Sequence, residues 1–380
     1  MMSAPTESAI RTALSRVQDP EIRKPITELG MVKSIDVSAD GDVAITVYLT
    51  VSSCPMRSEI QTSVSTAAAD VDGVRNVTVE LDVMSDEQRT ELRKKLRGDS
   101  GEPVIPFAQP GSMTRVYAVA SGKGGVGKSS VTVNLAAALA ARGLSVGVLD
   151  ADIYGHSIPR MLGTDSKPTQ VERMILPPIS HEVKLISIAQ FTTGNVPVVW
   201  RGPMLHRALQ QFLADVFWGD LDILLLDLPP GTGDIAISVA QLIPTAEILV
   251  VTTPQQAAAE VAERAGAIAL QTRQKVAGVI ENMSWLELAD GTRMDVFGSG
   301  GGQIVADRLT KSIGASVPLL GQIPLDPIIR EGGDSGVPIV LSHPDSAAGT
   351  ALREVADKLA VRQRGLAGMS LGIDTTRHLK

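Results

Sequence analysis

The pattern of apolar and polar positions changes once along the chain and predicts two domains. In the first part, alternating apolar positions predict strands, and apolar residues spaced three or four apart predict helices. The strands are expected at residues 32–37, 43–51 and 74–83. The helices are expected at residues 9–17, 55–69 and 86–97. This mixture predicts a small α+β domain over residues 1–97.

A Gly-, Pro- and Ser-rich stretch at residues 98–113 is expected to be a linker to a region of different texture. Beyond it, nearly all-apolar strands alternate with Ala-rich helices, as in sheets covered on both faces. Seven strands are expected, at residues 116–121, 145–150, 183–188, 221–227, 247–252, 275–281 and 317–323. The predicted fold class is α/β: a doubly wound, mostly parallel sheet over residues 114–363, followed by a frayed tail at 364–380.

Composition narrows the classes of function. The 380 residues carry 35 Lys and Arg against 42 Asp and Glu, and this net charge of −7 argues against a non-specific nucleic-acid binder. No run reaches the roughly 18 apolar residues of a membrane-spanning helix, and no secretory signal is visible. The single Cys excludes an intrachain disulfide and an all-Cys metal site within one chain. A cytoplasmic protein that binds neither nucleic acid nor membrane is expected.

A phosphate-binding loop between a predicted strand and a predicted helix is the strongest motif. Gly122, Gly127, Lys128 and Ser129 fit the Walker A spacing G-x-x-x-x-G-K-[ST]. Its glycines let backbone N–H groups converge on phosphate oxygens, and the next helix adds the positive end of its dipole. Lys128 is expected to neutralise the β- and γ-phosphates, and the Ser129 hydroxyl to bind Mg²⁺. The residues of the loop expected to hold nucleotide are Gly122, Lys123, Gly124, Gly125, Val126, Gly127, Lys128, Ser129 and Ser130.

Acidic residues end two of the predicted strands. Asp227 closes the strand at 221–227 as in a Walker B motif and is expected to hold Mg²⁺, directly or through water. Asp150 and Asp152 lie at the end of the strand at 145–150. Since ligands of open α/β sheets collect at the carboxyl ends of the strands, the three acids are expected around one nucleotide. The alternative is that they are surface acids that only end strands.

A second lysine inside the loop, Lys123, gives the string KGGVGKS, which resembles the deviant Walker A of the Mrp, MinD, ParA and nitrogenase-iron-protein ATPases. The resemblance implies that Lys123 reaches the nucleotide of a partner subunit, so that hydrolysis requires a homodimer. It also implies that Asp152 positions the attacking water, while Asp150 supports the magnesium shell. The catalytic residues expected on this basis are Lys123, Lys128 and Asp152.

The base of the nucleotide is expected to be adenine. The chain contains no N-K-x-D or T-K-x-D string, which would supply the usual guanine-reading Asp. Asn282, in the string ENM, resembles the adenine-contacting asparagine of these ATPases, and the string QIPLD around Pro324 resembles the loop that packs on the same base. The expected cofactors are therefore ATP and Mg²⁺.

Longer strings narrow the resemblance to the Mrp/ApbC-like iron–sulfur cluster carrier ATPases. The matching strings occur in that family's order over about residues 114–363: SGKGGVGKSSVTVNLAAALA, LDADIYGHSIPRMLG, LLLDLPPGTGD, TTPQQAAAEVAERA, GVIENMS and FGSGGG. In the N-terminal domain, DPEIRKPITELGMV and LTVSSCPMRSEI resemble the small SufT/PaaD-like domain. The resemblance implies an ATP-hydrolysing homodimer that transfers iron–sulfur clusters to apoprotein clients and meets iron–sulfur assembly proteins.

One departure concerns the ligands of the cluster. Family members that hold a cluster carry Cys-x-x-Cys just after the ENMS string, whereas residues 284–297 of this chain contain no Cys. A cluster normally takes four thiolates, and a homodimer of this chain supplies only two, both Cys54. Cys54 precedes Pro55 at the expected start of a helix, with Arg57 nearby, where a thiolate is favoured. Cys54 is thus a candidate cluster ligand or handover thiol; the alternative is a small buried apolar side chain.

Other functions remain open beside the cluster carrier. One is a nucleotide switch or chaperone of the same fold that moves its partners without holding a cluster. Another is a positioning ATPase of the MinD/ParA type, and a metabolic ligase is the last. A positioning ATPase would need a basic amphipathic C-terminal helix or a basic surface. The tail after Gly365 is interrupted by Gly368 and Gly372, and its only Lys or Arg residues are Arg377 and Lys380.

Overall fold

Three helices and a three-stranded sheet form the small N-terminal domain in the computed structural model, which describes residues 5–51, 54–97, 104–152, 155, 157–191, 202–231, 234–255, 258–288 and 290–360. The helices are α1 (Glu7–Leu14), α2 (Arg57–Ala69) and α3 (Asp86–Arg97). The strands are β1 (Val32–Val37), β2 (Asp42–Leu49) and β3 (Asn76–Val83). β2 lies in the middle, antiparallel to β1 and parallel to β3. Every element expected here is present, with bounds shifted by a few residues at most.

An eight-stranded sheet forms the centre of the second domain. The strands after the small domain are β4 (Arg115–Ala120), β5 (Val146–Asp150), β6 (Thr169–Val171), β7 (Met174–Leu176), β8 (Ile179–Ser180), β9 (Val183–Ser187), β10 (Ile223–Asp227), β11 (Glu247–Thr252), β12 (Val276–Asn282), β13 (Leu286–Glu287), β14 (Arg293–Met294) and β15 (Leu319–Ile323). The order in the large sheet is β15-β12-β11-β4-β10-β5-β9-β8. Its neighbours are parallel except for β8, which is antiparallel to β9. The seven parallel strands are the seven that the sequence predicts.

Helices cover both faces of this sheet. They are α4 (Lys128–Ala140), α5 (Ile158–Met161), α6 (Gly202–Ala214), α7 (Asp234–Leu242), α8 (Ala258–Thr272), α9 (Gly301–Ile313), α10 (Pro327–Ser335), α11 (Ile339–Ser342) and α12 (Ala347–Ala360). One cluster of buried side chains joins α4, α11 and α12 to the sheet, and others join α6 with α7 and α8 with α9. β5, β9 and β10 are buried at every position because they are covered on both sides. The doubly wound α/β fold is confirmed.

The strand order determines where a ligand can bind. β10 pairs in register with both β4 and β5, so Asp227 at its end stands beside Val119 and Asp150. The loop between β4 and α4 therefore begins at the same sheet edge at which both acids lie. Such an edge is where open α/β sheets bind their ligands.

Part of the expected linker packs onto the second domain. Pro106–Ala108 forms a short 3₁₀ helix, and Phe107 is buried with its ring 6.4 Å from that of Trp218, measured between centroids. The segment after residue 104 is thus anchored by an aromatic contact. Residues 98–103 of the linker and the tail at 364–380 lie outside the described residues. No described helix has both the length and the apolar composition needed to cross a membrane.

The small domain docks on the large domain of its own chain. The hairpin β6–β7 places Val171, Met174 and Leu176, all fully buried, in the same apolar cluster as the core of the small domain. At its border, the Thr169 hydroxyl donates a hydrogen bond to Glu21 over 2.7 Å. The sequence alone had left the docking of this domain undetermined.

Candidate functional site

The loop between β4 and α4 has the backbone conformation of a phosphate cradle. Gly125 and Gly127 both have φ of +77°, a left-handed conformation that favours glycine. At Gly127 a Cβ atom would also lie 2.3 Å from Nδ2 of Asn282, whose amide donates to the Val126 carbonyl over 2.9 Å. Glycine is therefore required at 127 for conformation and for space. α4 begins directly afterwards at Lys128, and the N–H groups of its first turn can bind an anion.

Lys128, Ser129 and Asp227 form one buried polar network at the start of α4. The Lys128 Nζ atom lies 2.7 Å from Oδ2 of Asp227, and the Ser129 hydroxyl donates to the same oxygen over 2.6 Å. Thr132, which the sequence argument missed, donates from its hydroxyl to Oδ1 over 2.8 Å. Asp227 is fully buried. Thr132 lies one helical turn after Ser129, and this spacing is the signal that could have identified Thr132 from the sequence.

The oxygen atoms of this network fit a magnesium ion bound together with a nucleotide. Magnesium prefers one or two carboxylates, hydroxyl or water oxygens and the phosphates of its substrate. Ser129 and Asp227 supply one hydroxyl and one carboxylate from adjacent positions. Among the described residues, no group of three or more His, Cys, Asp and Glu side chains could hold a metal ion. A magnesium ion at this site would therefore depend on phosphate oxygens for its remaining ligands.

Asp150 is a buried carboxyl that lies behind this network. Burial, and then the charge of Asp227, raise the pKa of Asp150 to about 7. Its Oδ2 accepts a hydrogen bond from the Ser187 hydroxyl over 2.9 Å, and its Oδ1 accepts one from the backbone N–H of Asp152 over 3.2 Å. Ser187, at the end of β9, is a second partner that the sequence argument missed. These contacts fix the carboxyl next to Asp227 and fit a supporting position.

Asp152 ends the same segment at the sheet edge. Its Oδ1 accepts a hydrogen bond from the backbone N–H of Gly155 over 2.9 Å. A Cβ atom at Gly155 would lie 3.0 Å from the other carboxylate oxygen, Oδ2. These contacts with Gly155 hold the Asp152 carboxylate in one orientation at the carboxyl end of β5.

Lys123 projects from the loop and is not part of the Lys128 network. Its ammonium group contacts the side-chain oxygen of Gln255, just after β11, and its carbonyl accepts a hydrogen bond from the Ser121 hydroxyl over 3.0 Å. Gln255 is a partner that sequence reasoning did not identify. The Lys123 side chain is half-buried.

Four of the residues expected to hold nucleotide line one open cleft of about 320 Å³. They are Gly127, Ser130, Asn282 and Pro324. This volume lies in the range of ordinary ligand sites. Sequence reasoning missed other side chains of the cleft, among them Arg160 and Met161 of α5. The phosphate loop and the expected base site thus form one continuous depression.

A buried carboxylate holds the strand that presents Asn282. The Glu281 side chain accepts hydrogen bonds from the backbone N–H of Gly302 over 2.5 Å and from the Gln322 amide over 2.7 Å. These bonds tie β12 to α9 and β15. Glu281 also places negative charge at the N-terminus of α9, where the helix dipole favours it. Asn282 is consequently held against the loop by three elements.

A short hairpin stands where the resembled family carries Cys-x-x-Cys. β13 and β14 pair antiparallel, with Leu286 opposite Met294. The Arg293 guanidinium lies over the Trp285 ring, 4.1 Å from its centroid. The described part of this segment contains no thiol, so it offers no ligand of the kind that clusters usually take.

The expectation of a stabilised Cys54 thiolate is wrong in this structure. The side chain is 4% exposed within the core of the small domain, and α2 begins only at Arg57. Burial, and then the charge of Glu21, raise the pKa of Cys54 to about 11. The effect of Arg57 is smaller than either and does not reverse them. The surroundings match the alternative of a small buried side chain, and a role as cluster ligand would need a change of environment.

The protonation of Cys54 gives a direct prediction. Since the pKa of its thiol is raised to about 11, the thiol should stay protonated up to pH 9. The ¹³Cβ resonance of the only cysteine in the chain identifies it without ambiguity. We expect that resonance to keep the chemical shift of a protonated thiol between pH 6 and 9. A midpoint near pH 8, close to that of a free thiol, would contradict the burial described here.

Two family sequence models match the chain. A model of the ParA family, described as NUBPL iron-transfer P-loop NTPase, matches residues 112–360. A second model, described as iron-sulfur cluster assembly protein, matches residues 7–81. The first covers well over half of the chain and includes the whole phosphate loop.

Curated relatives and one solved structure are similar over long stretches. The chain is 74% identical over 370 residues to the iron-sulfur cluster carrier protein of Mycobacterium tuberculosis, covering 97% of each. It is 43% identical over 356 residues to the protein of that name from Deinococcus radiodurans, covering 93% of this chain and 94% of the other. A nucleotide-binding protein from Archaeoglobus fulgidus, solved in complex with ADP, is 33% identical with a TM-score of 0.50. That match covers 66% of this chain and 91% of the other.

Proposed function

We propose that this chain, which belongs to the ParA family of NUBPL-type iron-transfer P-loop NTPases, is an ATP-hydrolysing homodimer. We further propose that the homodimer binds iron–sulfur clusters and transfers them to apoproteins. The observation that carries the proposal is the buried network of Lys128, Ser129 and Asp227 at the end of a phosphate loop. The cargo follows from relatives that are named iron-sulfur cluster carrier proteins and match nearly the whole chain.

Nucleotide binding would rearrange the Lys128 network. In the structure the Lys128 ammonium is paired with Asp227. The phosphates of ATP would attract this ammonium toward the loop, leaving Ser129 and Asp227 to hold Mg²⁺, which supplies positive charge at the phosphate oxygens. Asp152 would orient the attacking water, since its carboxylate is fixed by Gly155 at the same sheet edge. Adenine would lie against Asn282 and Pro324 in the open cleft.

Hydrolysis would require two subunits. Lys123 would leave Gln255 and approach the nucleotide of the partner, adding positive charge to the transition state as an arginine finger does. ATP would thereby close the dimer and hydrolysis would relax it. Affinity for a client would differ between the two states, as any nucleotide-driven switch requires.

Cys54 is the proposed thiol for the cargo. The two Cys54 residues of a dimer supply half of the four thiolates that a cluster normally takes. The remainder would come from an external thiol or from cysteines of the client. During transfer, cysteines of the client would then replace the ligands of the cluster one at a time.

A second candidate function is a nucleotide switch of the same fold that holds no cluster. The absence of Cys from the hairpin of β13 and β14 and the burial of Cys54 favour it. The two candidates share the ATPase chemistry and differ in whether iron binds this chain.

Replacing Asp152 by Asn tests the catalytic assignment. We expect hydrolysis to fall by roughly 100-fold or more, because removing a group that orients or deprotonates the nucleophile has effects of that order. ATP affinity should be nearly unchanged, since Asp152 contributes no positive charge to the phosphates. Phosphate release and equilibrium nucleotide binding separate the two effects. The matched control is Asp165→Asn, which replaces an exposed acid in the following loop and should leave activity unchanged. Full activity of Asp152→Asn would refute the assignment.

Transfer to an acceptor tests the proposed function as a whole. Protein reconstituted anaerobically with ferrous iron and sulfide, and freed of excess ions, is mixed with an apo-ferredoxin. We expect the visible absorption of the holo-acceptor to appear, at a rate that depends on ATP. Lys128→Ala should lose the dependence on ATP. A loaded protein that never delivers its cluster to the acceptor would contradict a carrier function.

A further inference from the structure

The hairpin β6–β7 covers a polar corner of the small domain. The Thr169 hydroxyl donates to Oε1 of Glu21 over 2.7 Å, and both side chains are buried. Burial raises the pKa of Glu21 to about 7, as expected for a carboxyl taken out of water. Nearby, the Arg23 guanidinium lies 2.7 Å from the Glu182 carboxylate of the large domain. Glu21 is thus held by a residue of the other domain.

A second polar contact fixes the tip of the same hairpin. Glu172 lies between β6 and β7, with a φ of +54°, a strained conformation for a residue other than glycine. Its carboxylate accepts a hydrogen bond from the Thr90 hydroxyl and lies 3.4 Å from Nε of Arg93, both on α3. The hairpin is therefore tied to the small domain at its start and at its tip.

The apolar centre of this contact is continuous with the surroundings of Cys54. Val171, Met174 and Leu176 are fully buried in one cluster that also contains Leu92 and Cys54. Separation of the domains would expose these three apolar side chains to water, which is unfavourable. The docked arrangement therefore has a substantial apolar driving force.

Glu21 connects the domain contact with the cysteine. Its charge is second only to burial in raising the pKa of the Cys54 thiol. The turn that carries Glu21 is rigid, because Oδ1 of Asp19 accepts the backbone N–H groups of Glu21 and Ile22 over 3.0 and 2.8 Å. The residue that bonds to Thr169 thus also acts electrostatically on the Cys54 thiol. A change at the hairpin would reach the cysteine through one short, stiff turn.

We propose that the hairpin β6–β7 is a latch that holds the small domain closed on the large domain and keeps Cys54 inaccessible until the two domains separate. The proposal rests on the proposed role of Cys54 in handling the cluster. The closed state protects a thiol that would otherwise react with oxidants or bind stray metal, and the open state presents it to a client. The latch is an intramolecular contact of the chain with itself and needs no additional partner.

The accessibility of Cys54 to a small thiol reagent tests the latch. Because Cys54 is the only cysteine, every reaction with 5,5′-dithiobis(2-nitrobenzoate) reports on this residue. Cys54→Ser gives the background rate of the assay. Thr169→Val combined with Glu172→Ala removes the polar contacts of the hairpin, and leaves its apolar side chains and the Arg23–Glu182 ion pair in place. We expect the double variant to react about tenfold faster than the wild type, since a lost buried hydrogen bond shifts a local opening equilibrium by that order.

Two control variants separate the latch from general loss of stability. Asp82→Asn removes an exposed ion pair with Lys33 elsewhere in the small domain, and its reaction rate should equal that of the wild type. Val64→Ala weakens the core of the small domain at a buried position of α2 and leaves the residues of the hairpin unchanged. The rate at which Cys54 reacts in Val64→Ala should rise only by the factor that the loss of stability, measured as the shift in urea midpoint, explains. In the double variant, Cys54 should react faster than the shift in urea midpoint of that variant explains.

The latch is overturned if the double variant reacts at the wild-type rate, or only as fast as its lost stability explains. In that case the small domain shields Cys54 by its own fold. It is equally overturned if Cys54 of the native wild type reacts as fast as in the urea-unfolded chain. The measurement needs neither ATP nor iron, so a failure of the cluster-carrier function would leave its outcome unaffected.

Discussion

Replacing Lys128 by Ala is expected to abolish measurable ATP hydrolysis, with a fall of at least about 100-fold, the usual consequence of losing one preorganised charge at the transition state. Nucleotide binding should weaken as well, because Lys128 is the cation that the phosphate loop directs at the β- and γ-phosphates. The network that pairs it with Asp227 is buried, so no solvent cation can take its place equally well. Phosphate release and equilibrium binding of ATP measure the two effects.

The Lys128 prediction needs a control for the fold. Removing the ammonium leaves Asp227 buried next to Asp150, so the thermal unfolding of the variant must be measured beside its activity. Lys311→Ala, which removes an exposed lysine at the end of α9, is the matched charge control and should behave as the wild type. A folded Lys128→Ala protein that still binds and hydrolyses ATP normally would refute the phosphate-loop assignment.

Replacing Lys123 by Ala is expected to lower hydrolysis by at least about 100-fold while leaving ATP affinity close to that of the wild type. The reason is that Lys123 would act on the nucleotide of the partner subunit and mainly in the transition state. In the structure its ammonium contacts Gln255 of its own chain, away from the Lys128 network. The separation of kcat from binding therefore distinguishes the two lysines of one loop.

Mixing the two inactive variants tests whether Lys123 acts across the dimer. In a mixed dimer, the Lys123→Ala subunit keeps its own Lys128 and receives Lys123 from the Lys128→Ala subunit, so one of its two sites is complete. Random exchange in an equal mixture should restore about a quarter of the wild-type activity, because half of the dimers are mixed. No recovery after proven subunit exchange, or full activity of Lys123→Ala alone, would exclude action in trans.

The fold and the phosphate loop could be predicted from the sequence because both depend on local pattern. Strands such as β5 and β10 are buried on both faces and so are apolar throughout, and the Walker A glycines occupy conformations that other residues avoid. The partners Thr132, Ser187 and Gln255 were missed. Thr132 had a local signal, its position one helical turn after Ser129 in α4. Ser187 and Gln255 meet Asp150 and Lys123 only through the order of distant strands, which a single sequence does not display.

Cys54 shows where a local rule fails. Its position before Pro55 predicted a thiolate at a helix N-terminus, yet α2 begins at Arg57 and the side chain turns into the core. Desolvation of the thiol then raises its pKa by more than the backbone hydrogen bond of Met56 and the charge of Arg57 lower it. The segment at 98–113 was likewise predicted to be a linker from its Gly, Pro and Ser content, yet Phe107 within it packs against Trp218. In both cases tertiary burial, invisible in the local pattern, determined the outcome.

The central claim, that this chain carries a cluster without Cys-x-x-Cys, is tested most directly by counting iron and acid-labile sulfide. The protein is reconstituted anaerobically with ferrous iron and sulfide, with and without ATP, and both elements are counted per dimer. We expect a stoichiometric cluster in the wild type and its loss in Cys54→Ser, which should still hydrolyse ATP. A wild-type protein that hydrolyses ATP yet retains neither iron nor sulfide would contradict the account and leave a nucleotide switch.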